Sequence, residues 1–264
     1  MVSGDFPLPA FLVMVVLTAA ALRLYLPMAR TALVGNAGRV GTGWVGPLDG
    51  VVALALMAWF ALQAHAALSQ GAARVLEFRH VLTGAAVYGS VVLFLAGVLV
   101  YRDISAERAF GWNVLGFGGA LAQGLLYVAA AYPLLMLVQV MIQGAAGSDV
   151  APQDVVQFLV DAKSPRDRIA VLVMAVVVAP LAEEFIFRGY LYAAAKKYAG
   201  PFAALVVTSL LFAVVHGHAF SIPALFTLAV CLGLAYERTG SLLVPMIMHA
   251  VFNACQLAVI LFVL

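Results

Sequence analysis

Charged side chains are scarce in this chain. Lys, Arg, Asp and Glu make up only ten per cent of its 264 residues, against sixty-five per cent apolar, and the mean hydropathy is +1.08. A soluble globular domain carries about a quarter charged residues. This chain lacks the polar groups to cover its own surface, so lipid must be the solvent for much of it. The formal net charge is only +2, and no basic run is present that could follow a nucleic-acid backbone, which excludes nucleic acid as a partner. Cysteine is equally rare. Cys231 and Cys255 both fall in apolar segments, which excludes a disulfide framework or a CxxC metal knot and leaves two bland thiols.

What the chain does have is long apolar runs, at about Leu8–Leu26, Asp49–Leu68, Val81–Tyr101, Leu115–Ile142, Ile169–Tyr198, Phe202–Val215, Ile222–Tyr236 and Leu242–Leu264. A helix of about 20 apolar residues crosses a hydrocarbon core of roughly 30 Å. Helix is the choice for each run, because lipid cannot satisfy an open backbone. The expectation is an all-α, polytopic transmembrane helical bundle of about eight spans: an integral, multi-pass membrane protein with membrane lipid around it and no room for a separate soluble domain. Ala19-Ala20-Ala21 resembles a signal-peptide cleavage site, but the leader carries Asp5 and no positive charge, contrary to the usual pattern. Trp44, Trp59 and Trp112 are expected near segment ends, in the aromatic belts.

The polar interval Gly144–Arg168 is the best internal boundary. It divides N-terminal helices without a recognised motif (1–165) from a C-terminal four-helix core (166–264). Ala151-Pro152-Gln153-Asp154 is expected to start a short amphipathic helix on the membrane surface. Gly116, Ala120 and Gly124 share one helix face and suit close helix packing. His65, Gln63, Gln123 and Gln139 are expected to act as interhelical hydrogen-bonding groups. With eight spans and the N-terminus outside, one side receives Arg23, Arg30, Arg39, Arg102, Arg108, Lys196, Lys197 and Arg238. The other receives Arg74, Arg79, Lys163, Arg166 and Arg168. Eight against five favours both termini outside.

Ionisable groups inside spans are costly and therefore mark function. The fifth run contains Glu183-Glu184-Phe185-Ile186-Phe187-Arg188-Gly189 between apolar flanks. Glu184 and Arg188 are four apart and form a self-neutralising pair on one helix face. Glu183 points about 100° away and needs another partner. The sixth run carries His216 four residues after Phe212, and the eighth carries His249 and Asn253 four apart. Fourteen residues separate Glu184 from Tyr198, and fourteen separate Phe202 from His216. A turn at Ala199-Gly200-Pro201 therefore puts both groups roughly 21 Å from it, at matching depth. His249, about 16 Å beyond Arg238, comes level with modest tilt. These groups are expected to meet in a cavity between the fifth, sixth and eighth runs, open to the side holding Lys196 and Lys197. His218, two residues past His216, reads as an interfacial residue.

The three patterns Glu183-Glu184-x-x-x-Arg188, Phe212-x-x-x-His216 and His249-x-x-x-Asn253 resemble the motifs of the CPBP (Abi) intramembrane proteases, a family that includes the type II CAAX prenyl endopeptidases. The resemblance covers about Pro180–Cys255 and implies a helical-bundle protease acting on a hydrophobic or lipidated peptide. It implies that Glu183 activates water with His216 as its partner. It further implies that His249 and Asn253 stabilise the oxyanion, and that Glu184 and Arg188 hold the site's architecture. Two versions of the chemistry stand open. One is a zinc site built from His216, His249 and Glu183. The other is metal-free, and Asn253, an unusual zinc ligand but a good oxyanion donor, tilts towards it. An ion-coupled transporter would also place ionisable groups at mid-membrane, and a catalytically silent immunity or binding protein would share the fold.

Overall fold

The computed structural model describes residues 8–34, 38–69, 78–146, 154–161 and 164–263, and among these every regular element is helical. Seven helices are long and apolar enough to cross a membrane. One of them, Pro165–Val214, has 50 residues and is broken at Gly200, whose φ of 81° and ψ of 166° leave the helical region. A left-handed φ is open to glycine at no steric cost, and Pro201 starts the second arm from a preset φ. The Phe187 and Phe212 rings, nearly equidistant from Gly200 in sequence, lie 5.4 Å apart. The run is therefore an antiparallel hairpin that accounts for two crossings, eight in all. The expected multi-pass helical bundle is present.

In chain order, α1 (Leu8–Ala29), α2 (Pro47–Ser69), α3 (Phe78–Tyr101), the short α4 (Ala106–Phe110) and α5 (Phe117–Ala146) form the N-terminal part. α6 (Asp154–Asp161) packs Leu159 against Val171 and Leu257. The start expected for this helix, Ala151–Gln153, lies outside the described residues. The hairpin then runs through α7 (Pro165–Val173), α8 (Ala179–Glu184) and α9 (Ala193–Val214), with wide π-helical turns at Met174–Val178 and Phe185–Tyr192. α10 (Ile222–Thr239) and α11 (Leu243–Val263) close the bundle.

The core lies where α5, α9, α10, α11 and the Phe185–Tyr192 turn meet, and α1–α3 flank it with their apolar faces turned outward. α2 buries one stripe, Asp49, Ala53, Phe60 and Ala64, and Phe60 reaches Phe187 at 5.1 Å. Gln63 and His65 sit beside that stripe rather than on it, and both are exposed, as is Gln139. None of the three bridges helices as expected: Gln63 and His65 are rotated about 100° or more from the buried line of α2, and Gln139 stands one turn beyond Leu135, where the α5 face is open. The small-residue face of α5 is used in part: Ala120 is fully buried and a side chain on Gly124 would meet Ile247 of α11 at 2.7 Å, whereas Gly116 faces open space. The tryptophans depart from the belt expectation. Trp59 lies mid-helix in α2, and Trp44 is buried against Phe110 and Tyr190; only Trp112 sits half-open in a loop.

One end of the bundle is knitted by buried charge. Glu237 accepts from Lys196 Nζ at 2.6 Å, from the Tyr192 hydroxyl and from the Val40 N–H, while Lys196 also donates to the Val40 carbonyl at 3.0 Å. Asp49, fully buried, pairs with Arg102 and accepts from the Tyr190 hydroxyl at 3.0 Å and the Gly46 N–H at 2.6 Å. Gly111 and Gly240, both with positive φ, let two chain turns touch there, and Leu242 N–H donates to the Phe110 carbonyl at 3.0 Å. Arg39, Arg102, Lys196 and Arg238 thus share one end, as the sidedness of the basic loops predicts.

Breaking one partner out of a buried ion pair costs about 3–5 kcal/mol, because the other charge is left uncompensated. Glu237→Ala is expected to lower the thermal unfolding temperature in detergent well below that of Lys197→Ala, an exposed change worth within about 0.5 kcal/mol. Equal melting of the two variants would show that the Glu237 network does not hold this end together.

Candidate active site

The segment bearing the two glutamates is not a regular helix, and its irregularity starts at a proline. In the first wide turn Ala179 N–H bonds to the Met174 carbonyl, five residues back. Continuing that spacing would pair the Ala175 carbonyl with residue 180, but Pro180 has no N–H to give. The freed Ala175 carbonyl accepts instead from Asn253 Nδ2 of α11 at 2.7 Å. A backbone carbonyl at membrane depth has no water to turn to and must find a donor, so α11 is clipped to the hairpin at this point.

Past the proline, Glu183 and Glu184 are both buried. Glu184 Oε1 accepts from Arg188 Nη1 at 2.7 Å and faces His249 Nδ1 at 2.9 Å, while its Oε2 has no partner. Arg188 donates in addition to the Ala229 carbonyl of α10, and its guanidinium lies 4.3 Å above the Phe212 ring, a desolvated cation–π arrangement. The sequence pairing of Glu184 with Arg188 is therefore the observed one. The second wide turn, Phe185–Tyr192, holds Arg188 and brings the Gly189 backbone against Phe110 and Leu242; a Cβ there would sit 3.0 Å from Phe110 and 3.1 Å from Leu242.

Glu183 has the separate partner its direction demands. Tyr88 of α3 donates its hydroxyl to Glu183 Oε1 at 2.7 Å, and Glu183 Oε2 faces His249 Nε2 at 3.8 Å. His249 thus stands between the two carboxylates, one nitrogen towards each. Glu183, Glu184 and Arg188 carry one net negative charge.

His216 lies just past the C-terminal end of α9 and is the exposed member of the set. Its Nδ1 is 2.7 Å from the Phe212 carbonyl, four residues back. The carbonyl can only accept, so Nδ1 carries the hydrogen and, in the neutral ring, Nε2 keeps a free lone pair. The Phe212 ring touches both imidazoles, at 4.9 Å from His216 and 5.6 Å from His249. The structure therefore joins Glu183, Glu184, Arg188 and His249 directly, and His216 through Phe212. Asn253 stands one turn further along α11, turned to Ala175. The open edge of the cluster is at the His216 end of α9, not at the Lys196 end as expected, where Lys196 is tied to Glu237 and Val40. His218 faces Ser221 Oγ at 2.7 Å in the following loop.

Tyr88 lies outside every motif and carries no charge, so a search for ionisable residues passes over it. The signal was a lone tyrosine in an apolar span, where a hydroxyl needs a partner. The zinc set expected from sequence, His216, His249 and Glu183, does not form: among the described residues no three His, Cys, Asp or Glu side chains are grouped to hold a metal ion. The His249 nitrogens face Glu183 and Glu184, and His216 Nδ1 is taken by the Phe212 carbonyl.

Asn253→Ala leaves the half-buried Ala175 carbonyl without its side-chain donor, a cost of about 1–3 kcal/mol where water cannot replace it. A lowered unfolding temperature is expected, together with faster hydrogen exchange at the wide turn Met174–Val178. Wild-type exchange there would show that the clip does not order the turn.

Residues 165–255, from α7 to the middle of α11, match the family model described as type II CAAX prenyl endopeptidase Rce1-like. No curated protein and no solved structure matches the chain. The matched segment contains both glutamates, Arg188, both histidines and Asn253, and it is embedded in a bundle of membrane-spanning helices; over this segment, about a third of its length, the chain is similar to the Rce1-like type II CAAX prenyl endopeptidases.

Proposed function

We propose that the protein is an intramembrane endopeptidase that hydrolyses a peptide bond in a hydrophobic or prenylated, CAAX-type substrate, with Glu183 as the base. The observation that carries this is the fixing of Glu183. One of its oxygens is held by the Tyr88 hydroxyl, and the other is turned towards His249 at a buried position. A general base needs a defined lone pair within reach of the proton it takes.

Water bound between Glu183 Oε2 and His216 Nε2 gives a proton to Glu183, and its oxygen attacks the scissile carbonyl carbon. The carbonyl π electrons move onto oxygen. That oxyanion accepts from His249 Nε2, when the ring is doubly protonated, and from the second Nδ2 hydrogen of Asn253. Glu183 then returns its proton to the leaving amine as the C–N bond breaks, and the base is regenerated. Glu184 and Arg188 act through position: the pair holds His249 from below and turns its Nε2 towards Glu183. Every step is carried by side chains of this chain, and a zinc ion held by His216, His249 and Glu183 is the alternative that the chelator arm of the test decides. An ion-coupled transporter and a silent binding protein remain the rival readings, and neither accounts for a tyrosine fixing one oxygen of a carboxylate whose other oxygen faces an imidazole.

The test is cleavage of C-terminal CAAX-type peptides, prenylated and not, by the purified protein with and without a zinc chelator. Glu183→Gln is expected to lower kcat at least a hundredfold, within the span of about 10²–10⁴ for a general base. Tyr88→Phe is expected to leave KM nearly unchanged and lower kcat by roughly tenfold, the worth of one hydrogen bond to a charged group. Product formed equally by wild type and Glu183→Gln would overturn the protease reading. Activity abolished by the chelator and restored by zinc would replace the metal-free version with the zinc one.

A further inference from the structure

Between the start of α5 and the end of α10 lies a pocket of about 140 Å³ that shares no residue with the Glu183 cluster. It is lined by Arg39, Leu115, Gln123, Tyr127, Arg238 and Thr239. The fold brings two guanidiniums to this one opening. Arg238 is in the last turn of α10, where Gly240 in the left-handed region ends the helix. Arg39 is carried there by its backbone, whose N–H donates to the Glu237 carbonyl at 2.8 Å.

The acidic groups of this end are already committed. Glu237 is taken by Lys196 and Asp49 by Arg102, so neither Arg39 nor Arg238 has a carboxylate within ion-pair distance among the described residues. The Tyr127 side chain neighbours both arginines, and the half-buried Gln123 side chain has no hydrogen-bond partner among the described residues. Two like charges facing one pocket repel each other, and an anion between them reverses the sign of that interaction. Two planar guanidiniums suit a phosphate, which offers paired oxygens to each fork.

The position of the pocket indicates where such a phosphate comes from. Leu115 stands at the end of the bundle, and Gln123 and Tyr127 lie about 12 Å and 18 Å along α5 from it. Phe117, Leu121, Leu125 and Leu126 of the same helix are exposed and apolar, so acyl chains lie alongside α5 and lipid headgroups sit at its start. The end in question also collects most of the basic residues. Basic pockets between spans on such a side accept anionic headgroups. We propose that this pocket binds a phosphate group, delivered by an anionic phospholipid of the surrounding leaflet, with Arg39 and Arg238 as its principal ligands.

The test uses the full chain in detergent, with bound lipid counted by native mass spectrometry. The probes are short-chain phosphatidylglycerol, short-chain phosphatidylcholine and inorganic phosphate. Phosphatidylglycerol is expected to bind at least roughly tenfold more tightly than phosphatidylcholine, and Arg39→Gln/Arg238→Gln to erase the difference. Arg39→Gln alone keeps the fold, since that side chain is exposed and its hydrogen bond is through the backbone; it is expected to weaken phosphatidylglycerol severalfold. Equal binding of the two lipids, or unchanged selectivity in both variants, would overturn the proposal. Inorganic phosphate displacing phosphatidylglycerol at equal concentration would assign the pocket to a soluble phosphate compound and overturn the lipid source. Displacement by a peptide with a free C-terminal carboxylate, and not by its amide, would give the pocket to the substrate and overturn the proposal as a whole.

Discussion

Two adjacent carboxylates buried among apolar helices, with one guanidinium to answer them, set the terms for the rest of this structure. Ionised groups at such depth cost several kcal/mol each unless compensated, and Glu183 and Glu184 are compensated from five directions. Arg188 comes from one turn along the same segment, His249 from α11, Tyr88 from α3, and α10 and Phe212 hold the guanidinium in place. The helices that meet at the core are the ones that bring these partners. The arrangement also separates the two carboxylates by role of environment: Glu184 is locked by a cation, whereas Glu183 is held only through a hydroxyl and faces an imidazole. Adjacent residues of the same type thus acquire different chemistry from their neighbours alone.

Backbone irregularity is the second device. A regular helix through Met174–Tyr192 would turn the two glutamates, Arg188 and Gly189 on a strict 100° wheel. Two wide turns re-aim that wheel, and such turns recur at functional positions because they cost hydrogen-bond regularity. Here the loss is made good by a side chain, since the carbonyl that Pro180 cannot serve is served by Asn253. One amide therefore both repairs the backbone and stands a turn away from His249, which links the stability of the wide turn to the placement of α11.

Much of this was legible in the amino-acid sequence, for definite reasons. Apolar runs of the length of a bilayer have one backbone solution, so the span count and the hairpin at Gly200 followed from length and punctuation. The Glu184–Arg188 pair followed from helical spacing, which is local. What sequence reasoning missed was non-local. Tyr88 lies 95 residues from Glu183 and carries no charge, and nothing along α3 marks it except that its hydroxyl has no partner nearby. The zinc set is not grouped among the described residues, since residue type shows which atoms can ligate, not which way they turn: the His249 nitrogens face Glu183 and Glu184. His65, Gln63 and Gln139 failed for the opposite reason. Their polarity was read without the exposure of the positions they hold: Gln63 and His65 fall off the buried stripe of α2, and Gln139 lies one turn beyond Leu135 on α5. Side-chain direction at the mouth of the cluster was hidden as well, since it depends on α9 ending at Val214, next to His216.

The order of the elements along the chain gives the site a history as well as a geometry. α1 to α5 enter the membrane before the hairpin during synthesis, carrying Asp49, Tyr88 and Arg102. The segment with Glu183 and Glu184 follows into a bundle where the tyrosine is already in place, and it brings Arg188 with it. His249 and Asn253 arrive after these, on α11, once every other contact of the cluster can have formed. Until then Glu184 has one partner in place of two and the Ala175 carbonyl has no side-chain donor. α11 is therefore the helix that completes the ring of partners, and a nascent protein cannot assemble this cluster before that span is in the bilayer.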